Sequence, residues 1–290
     1  MTYAHTTIGE SDGYATAALT LGGGIGYVNA GTVTDTGFIR VGDEKGLAAT
    51  LINAAAGTFA FATDDAGIGN SALLGPLGTY GVGHGRFFNF GQLTKSGGAG
   101  VTYDTAETYN AGTIEAASGR LDLTGAIKDI SANGTSATGT GVLKIDAGAT
   151  LETNGIGAGQ SVVFNGAGTL VLNVAAAPVA AISGLAAGVA FDLTGVAGAT
   201  ASINAKTLLI TPTGGTAISF LSTTALTGLT AVVAGDGNGG TLVTLVAGLK
   251  SLASDLTLGR NAAATPPAVP TPIGMVTPTP TISPVLFVHH

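Results

Sequence analysis

Short alternations of apolar and polar residues recur along most of the chain. Clear examples occupy residues 120–123, 142–145 and 169–172. Successive side chains of a β-strand point to opposite faces, so this period of two predicts strands with one buried face and one wet face. The i, i+3, i+4 spacing that marks an amphipathic helix is nearly absent. The pattern therefore predicts an all-β protein.

A second pattern links these strands: an apolar residue, Asn, one or two small residues, Gly, and then a polar residue or a new strand. It occurs at residues 28–33, 88–93, 109–114 and 164–170, with a looser copy at 52–59. Asn and Gly tolerate the backbone conformations of tight corners. Short strands joined by such corners predict a parallel β-helix, a solenoid whose coils bury their apolar faces only by stacking; we take it as right-handed, the commoner class. Asn side chains at equivalent corners would form a hydrogen-bonded ladder, and the candidates are Asn29, Asn53, Asn89, Asn110 and Asn165.

The composition changes twice along the chain. Residues 1–181 carry the strand and corner pattern, and residues 182–261 remain β-like but differ in composition, which predicts either terminal coils or a small β cap. Residues 262–290 are rich in Pro and Thr, which is typical of an extended tail. This tail ends in the short apolar segment Val285, Leu286, Phe287 and Val288.

Charge and composition exclude several classes of function. The 290 residues include 48 Gly and only 9% charged residues, and the net charge is −7. Nucleic-acid binding needs clustered Lys and Arg, and ten basic residues spread over the chain form no such patch. Apolar stretches are too short and interrupted for a transmembrane segment. No motif for a cofactor or for nucleophilic catalysis is present.

Three segments resemble a known family: residues 91–98, residues 109–114 and residues 118–123. They look like the repeat-containing β-helix exoproteins of proteobacteria, which include filamentous-haemagglutinin-like and autotransporter-passenger-like adhesins. The resemblance covers roughly residues 28–247. It implies an exported protein at the cell surface or in the extracellular matrix, with adhesive or biofilm roles and no assigned chemistry.

Candidate sites for ligands are few. Phe87, Phe90, Tyr103 and Tyr109 lie on neighbouring predicted coils, either as an exposed strip for sugar stacking or as an aromatic stack inside the solenoid. Asp104, Asp122 and Asp146 would serve a polysaccharide-cleaving enzyme only if they stacked on one face. Asp236 and Asn238 are a weak candidate for calcium, and a tight hairpin turn explains them better. We therefore predict no catalytic site.

The apolar end of the tail suggests a partner. Solenoid ends expose unpaired strand edges, and an apolar strand on a Pro-rich tether is what strand addition to a neighbouring molecule needs. Residues 285–288 are thus a candidate self-assembly strand. The leading prediction is an extracellular structural or adhesive protein that forms a filament or matrix with other copies of itself. The alternative is a protein that binds or cleaves a cell-surface polysaccharide.

Overall fold

The computed structural model describes residues 5–9, 19–42, 48–70, 85–173 and 181–248. The chain divides into two units, Met1–Leu249 and Lys250–His290, and every described residue belongs to the first. In these ranges all regular secondary structure is β-strand, so the prediction of an all-β protein is confirmed. The predicted tail at 262–290 lies outside the described residues.

The strands are short, and most are joined by tight corners. In chain order they are β1 (His5–Ile8), β2 (Leu19–Leu21), β3 (Gly26–Asn29), β4 (Thr32–Asp35), β5 (Phe38–Val41), β6 (Thr50–Asn53), β7 (Thr58–Phe61), β8 (Gly67–Asn70), β9 (Arg86–Asn89), β10 (Gln92–Lys95), β11 (Val101–Asp104), β12 (Glu107–Asn110), β13 (Thr113–Ala116), β14 (Arg120–Asp129), β15 (Gly141–Asp146), β16 (Thr150–Ile156), β17 (Gln160–Asn165), β18 (Thr169–Asn173), β19 (Ile182–Ser183), β20 (Ala190–Thr194), β21 (Ala199–Asn204), β22 (Thr207–Pro212), β23 (Ile218–Leu221), β24 (Leu229–Gly235) and β25 (Thr241–Ala247).

These strands form three rows and one small sheet. Row A is an eight-stranded sheet, β1-β4-β7-β10-β13-β15-β17-β19. Row B is the path β2-β5-β8-β11-β14-β16-β18-β20-β25-β24 of a fourteen-stranded sheet, and row C, β3-β6-β9-β12, joins that sheet through β14. From β1 to β12 the chain visits rows A, B and C in turn. We call each such visit a pass.

Parallel pairing in constant register aligns equivalent residues of successive passes. Val33, Phe59, Leu93 and Ile114 therefore form one straight column on the inner face of row A, and all of them are buried. Neighbouring strands lie about 4.8 Å apart, so each side chain packs on the next. Burial of one such side chain contributes about 1.5–3 kcal/mol.

The parallel order ends at β20. Strand β25 pairs antiparallel with β20, and β24 pairs antiparallel with β25. Strands β21, β22 and β23 form a separate antiparallel sheet. The buried ring of Phe220 on this sheet packs against Phe191 of row B, with 4.7 Å between ring centroids. Of the described residues in this region, 182–194 thus continue the parallel rows and 199–247 form antiparallel strands. Pairing continues across residue 181, because β19 and β20 are parallel partners of β17 and β18.

Candidate functional site

Four of the predicted corner asparagines lie one above another at the end of row C. The side-chain Nδ2 of Asn29 donates to Oδ1 of Asn53, that of Asn53 to Asn89, and that of Asn89 to Asn110, each at 2.8 Å. All four side chains are buried. We call these four residues the asparagine ladder.

Each ladder amide also fixes the corner between row C and row A. The second N–H of Asn29 donates to the backbone oxygen of Thr58 at 3.0 Å, and that of Asn53 donates to Gln92 at 3.0 Å. Oδ1 of Asn29 accepts the backbone N–H of Gly31 at 3.0 Å, which is an Asx-turn. The ladder thus satisfies its own buried polar atoms and links each corner to the next pass.

The residue that continues the ladder is Gln160, so the prediction for Asn165 is wrong. Nδ2 of Asn110 donates to Oε1 of Gln160 at 2.8 Å, and Nε2 of Gln160 donates to the backbone oxygen of Asn110 at 2.9 Å. Asn165 is exposed and donates to Oδ1 of Asp146 at 3.0 Å. The physical reason is its position along β17: Gln160 is the first residue of this strand, next to the ladder, whereas Asn165 is its last residue, at the opposite end.

Buried aspartates occupy two of the other corners. Asp35, at the end of β4, accepts the backbone N–H of Gly67 in the next pass at 3.3 Å. Asp104, at the end of β11, accepts the N–H of Ala106 and the hydroxyl of Thr108, both at 2.9 Å. Burial raises the pKa of Asp35 to about 8 and the pKa of Asp104 to about 7. Both corners therefore favour the neutral acid below neutral pH.

The aromatic residues predicted for sugar stacking do not form one exposed strip. Phe87 is fully buried, and its ring centroid lies 6.3 Å from that of Phe59 in the core, so its prediction as a sugar contact is wrong. Tyr103 belongs to row B and Tyr109 to row C. Phe90 lies at the corner between rows C and A. The register of the strands separates residues that are close in sequence.

Tyr109 is also unsuited to sugar stacking because its ring faces are used within the protein. Its ring stacks on that of Phe88, with centroids 4.8 Å apart and an angle of 16° between the rings. The ammonium group of Lys128 lies 5.4 Å from the centroid of Tyr109. Rings in one column of parallel strands are separated by the strand spacing, so they stack on each other and turn their edges outward.

Phe90 borders a groove of about 500 Å³ along the edge of row A. The groove is lined by Ala55, Ala56, Gly57, Thr58, Phe90, Gly91, Gln92, Gly112, Thr113, Glu115 and Lys144. We call it the Phe90 groove. Its glycines lie at the corners held by the asparagine ladder, where a Cβ on Gly91 would overlap the backbone oxygens of Gly57 and Ala54.

The polar side of this groove is centred on Glu115. The Glu115 residue is 7% exposed, and Nε2 of Gln92 donates to its Oε2 at 2.9 Å. Lys144 forms an ion pair with Oε1 of Glu115, and its Nζ lies 3.4 Å from Oδ1 of Asp146. These contacts raise the pKa of Lys144, first through its hydrogen bond to Glu115. The groove therefore holds a fixed carboxylate, an amide and an ammonium group beside one aromatic ring.

The acidic residues considered for polysaccharide cleavage lie apart. Asp104 is buried at a corner, whereas Asp122 faces outward in row B and Asp146 ends a strand of row A. The column that contains Asp122 continues with Glu152, which pairs with Arg120. In the described residues, no group of three or more His, Cys, Asp and Glu is arranged to hold a metal ion.

Asp236 and Asn238 lie in the hairpin between β24 and β25. Oδ1 of Asp236 accepts the backbone N–H groups of Asn238 and Gly240, both at 2.7 Å. The carboxylate therefore closes the turn, as the hairpin interpretation requires. Burial and then the neighbouring Asp236 raise the pKa of Asp192.

Comparison with family models, with curated proteins and with solved structures finds no match to this chain. The described ranges contain no helix with the length and apolar character that crossing a membrane as a helix requires. The predicted self-assembly strand, Val285–Val288, lies outside the described residues.

The sequence pattern alone did not reveal Gln160, Gln92, Glu115 or Lys144 as site residues. Glu115 and Lys144 are at outward-facing positions of their strands, which the alternation indicates, but their contact depends on the pairing of β13 with β15. Gln160 is not part of the apolar-Asn-small-Gly motif that marks the other corners, and it lies fifty residues beyond Asn110. A search for any amide at a corner would have found it.

Proposed function

We propose that this chain is a right-handed parallel β-solenoid that serves as an extracellular structural and adhesive module of a bacterial surface. The observation that carries the proposal is the asparagine ladder. It joins successive passes through buried hydrogen bonds between side-chain amides. Such bonds are expected in a stack in which each coil is stable only on its neighbours. The right hand is the strongly preferred one for crossovers between parallel strands.

The surface chemistry agrees with a structural role. Only 9% of the residues are charged, and outward positions of the strands are repeatedly Thr, as at Thr32, Thr58 and Thr113, where Thr fits well. Asp104 is buried, Asp122 faces outward in row B and Asp146 lies in row A, so the acidic candidates do not share one face, which argues against the cleavage of polysaccharide. Secretion and placement at the cell surface follow from the family resemblance and stay part of the proposal.

Self-assembly is the specific version that we favour, and strand edges support it. In the described residues β1, β2 and β3 each pair on one side only. Strands β1 and β3 contain four residues, the same length as the apolar segment 285–288. Unpaired edges of parallel sheets recruit extended segments through backbone hydrogen bonds. We propose that residues 285–288 of one copy add to this end of another.

Electron microscopy and light scattering over a concentration series test the assembly. The full chain should form filaments or concentration-dependent oligomers, and deletion of residues 262–290 should leave monomers. Phe287→Asp should act like the deletion because a charge cannot replace an apolar anchor at a strand interface, while Thr277→Asp in the same tail is the matched control. Unchanged polymers of the deletion variant would refute assembly through the tail.

A further inference from the structure

The Phe90 groove has the composition of a binding site rather than of a packing defect. Its central acid, Glu115, is more than nine-tenths buried and is held from both sides by Gln92 and Lys144. A carboxylate has more acceptor positions than these contacts use. The ammonium group of Lys144, which contacts the carboxylates of Glu115 and Asp146, likewise has a further N–H. Donors and acceptors are thus preorganised beside the groove.

The remaining walls supply hydroxyl groups and one aromatic surface. Thr58 and Thr113 line the groove together with half-buried Phe90. The far edge of the Phe90 ring faces Gly134 in the loop before β15, where an added Cβ would lie 3.5 Å from the Cζ atom of Phe90. Backbone atoms form the bottom of the groove, because a side chain at Gly91 or Gly112 would overlap the backbone of the neighbouring corner.

We infer that the Phe90 groove binds a neutral polysaccharide. Sugar hydroxyls both donate and accept hydrogen bonds, so they match the neighbouring amide, carboxylate and ammonium groups of the groove. The apolar face of a sugar ring packs on an aromatic side chain. Anionic polymers are disfavoured because Glu115 and Asp146 outnumber Lys144 locally and the net charge is −7. This inference rests on the proposed adhesive role and names its ligand class.

The test is affinity electrophoresis of the full-length chain in gels that contain a soluble neutral β-glucan, a neutral galactomannan or the anionic polygalacturonate. We expect retardation by at least one neutral polymer. Phe90→Leu, which keeps an apolar side chain against Gly134, should weaken that binding about tenfold, and Glu115→Gln should weaken it by a similar factor. Tyr103→Leu removes an aromatic ring of row B outside the groove and should bind like the unmodified chain.

Each outcome is decisive when the variants keep the β-sheet circular dichroism of the parent. Binding by the parent that survives both groove substitutions, or stronger retardation by polygalacturonate, would overturn the inference. Absence of retardation by every neutral polymer would also overturn it. Light scattering on the same samples separates this failure from failure of the proposed structural role, because assembly through residues 285–288 does not involve the groove.

Discussion

Replacement of Asn89 by Ala is the most direct test of the asparagine ladder. Asn89 is fully buried and stands in the middle of the ladder. It accepts from Asn53 at 2.8 Å and donates to Asn110 at 2.8 Å and to the backbone oxygen of Thr113 at 2.9 Å. The substitution removes this partner from all three groups at a fully buried position.

The expected loss follows from the cost of an unsatisfied buried polar group, about 1–3 kcal/mol for each. Asn53 and Asn110 keep other hydrogen bonds, so we expect a total near the lower end, about 3 kcal/mol. For a domain of this size that corresponds to a fall of roughly 6–12 °C in Tm. Asn165→Ala is the matched control, because Asn165 has the same local motif but is exposed; its effect should stay within about 0.5 kcal/mol.

Urea unfolding followed by circular dichroism, with Tm from calorimetry, measures both variants. The reasoning is refuted if Asn89→Ala costs less than about 1 kcal/mol, the net worth of one ordinary hydrogen bond. It is equally refuted if Asn165→Ala destabilises the protein as much as Asn89→Ala. The loss in free energy of unfolding would then depend on the local sequence motif and not on the position of Asn89 in the buried ladder.

Three further outcomes follow from the corners and the core. Because burial raises the pKa of Asp104 to about 7 from 3.8, the folded state keeps a proton that the unfolded state loses. The contribution of Asp104 to stability therefore falls as pH rises between about 4 and 7 and then levels off, while Asp35, with a pKa of about 8, extends the overall fall to about pH 8. Asp104→Asn should reduce this fall by up to about 4 kcal/mol and raise the urea midpoint at pH 8; an unchanged pH profile contradicts the assignment. Gly91→Ala should destabilise by about 1–3 kcal/mol or more through overlap with Gly57, whereas Gly235→Ala, with nothing within 4 Å of the added Cβ, should be neutral in the same melts. Lys95 is 0% exposed and donates to Asp64 at 2.8 Å, so Asp64→Ala should cost more than Asp65→Ala, and equal unfolding curves would argue against a structural role for the pair.

Some of the site residues could be predicted from the sequence and others could not. The ladder residues were predictable because Asn before a small residue and Gly is a local signal for a corner. The Phe90 groove was not, because it joins Gln92, Glu115 and Lys144 from three strands of row A. The expected aromatic strip failed for a related reason: Phe87 points into the core, and strand pairing places Tyr103 in row B but Tyr109 in row C.

The sequence by itself determined the class of secondary structure and the positions of most corners. Period-two alternation and the Asn and Gly corners act within a few residues, and such local preferences are already present in the unfolded chain. Only the tertiary structure decided which strands share a row, and that Gln160 at the start of β17 extends the ladder while Asn165 at its end does not. It also decided that residues 199–247 form antiparallel strands and that Asp104, Asp122 and Asp146 do not share one face. Register between strands is set by the fit of side chains from distant parts of the chain, and no local pattern contains that information.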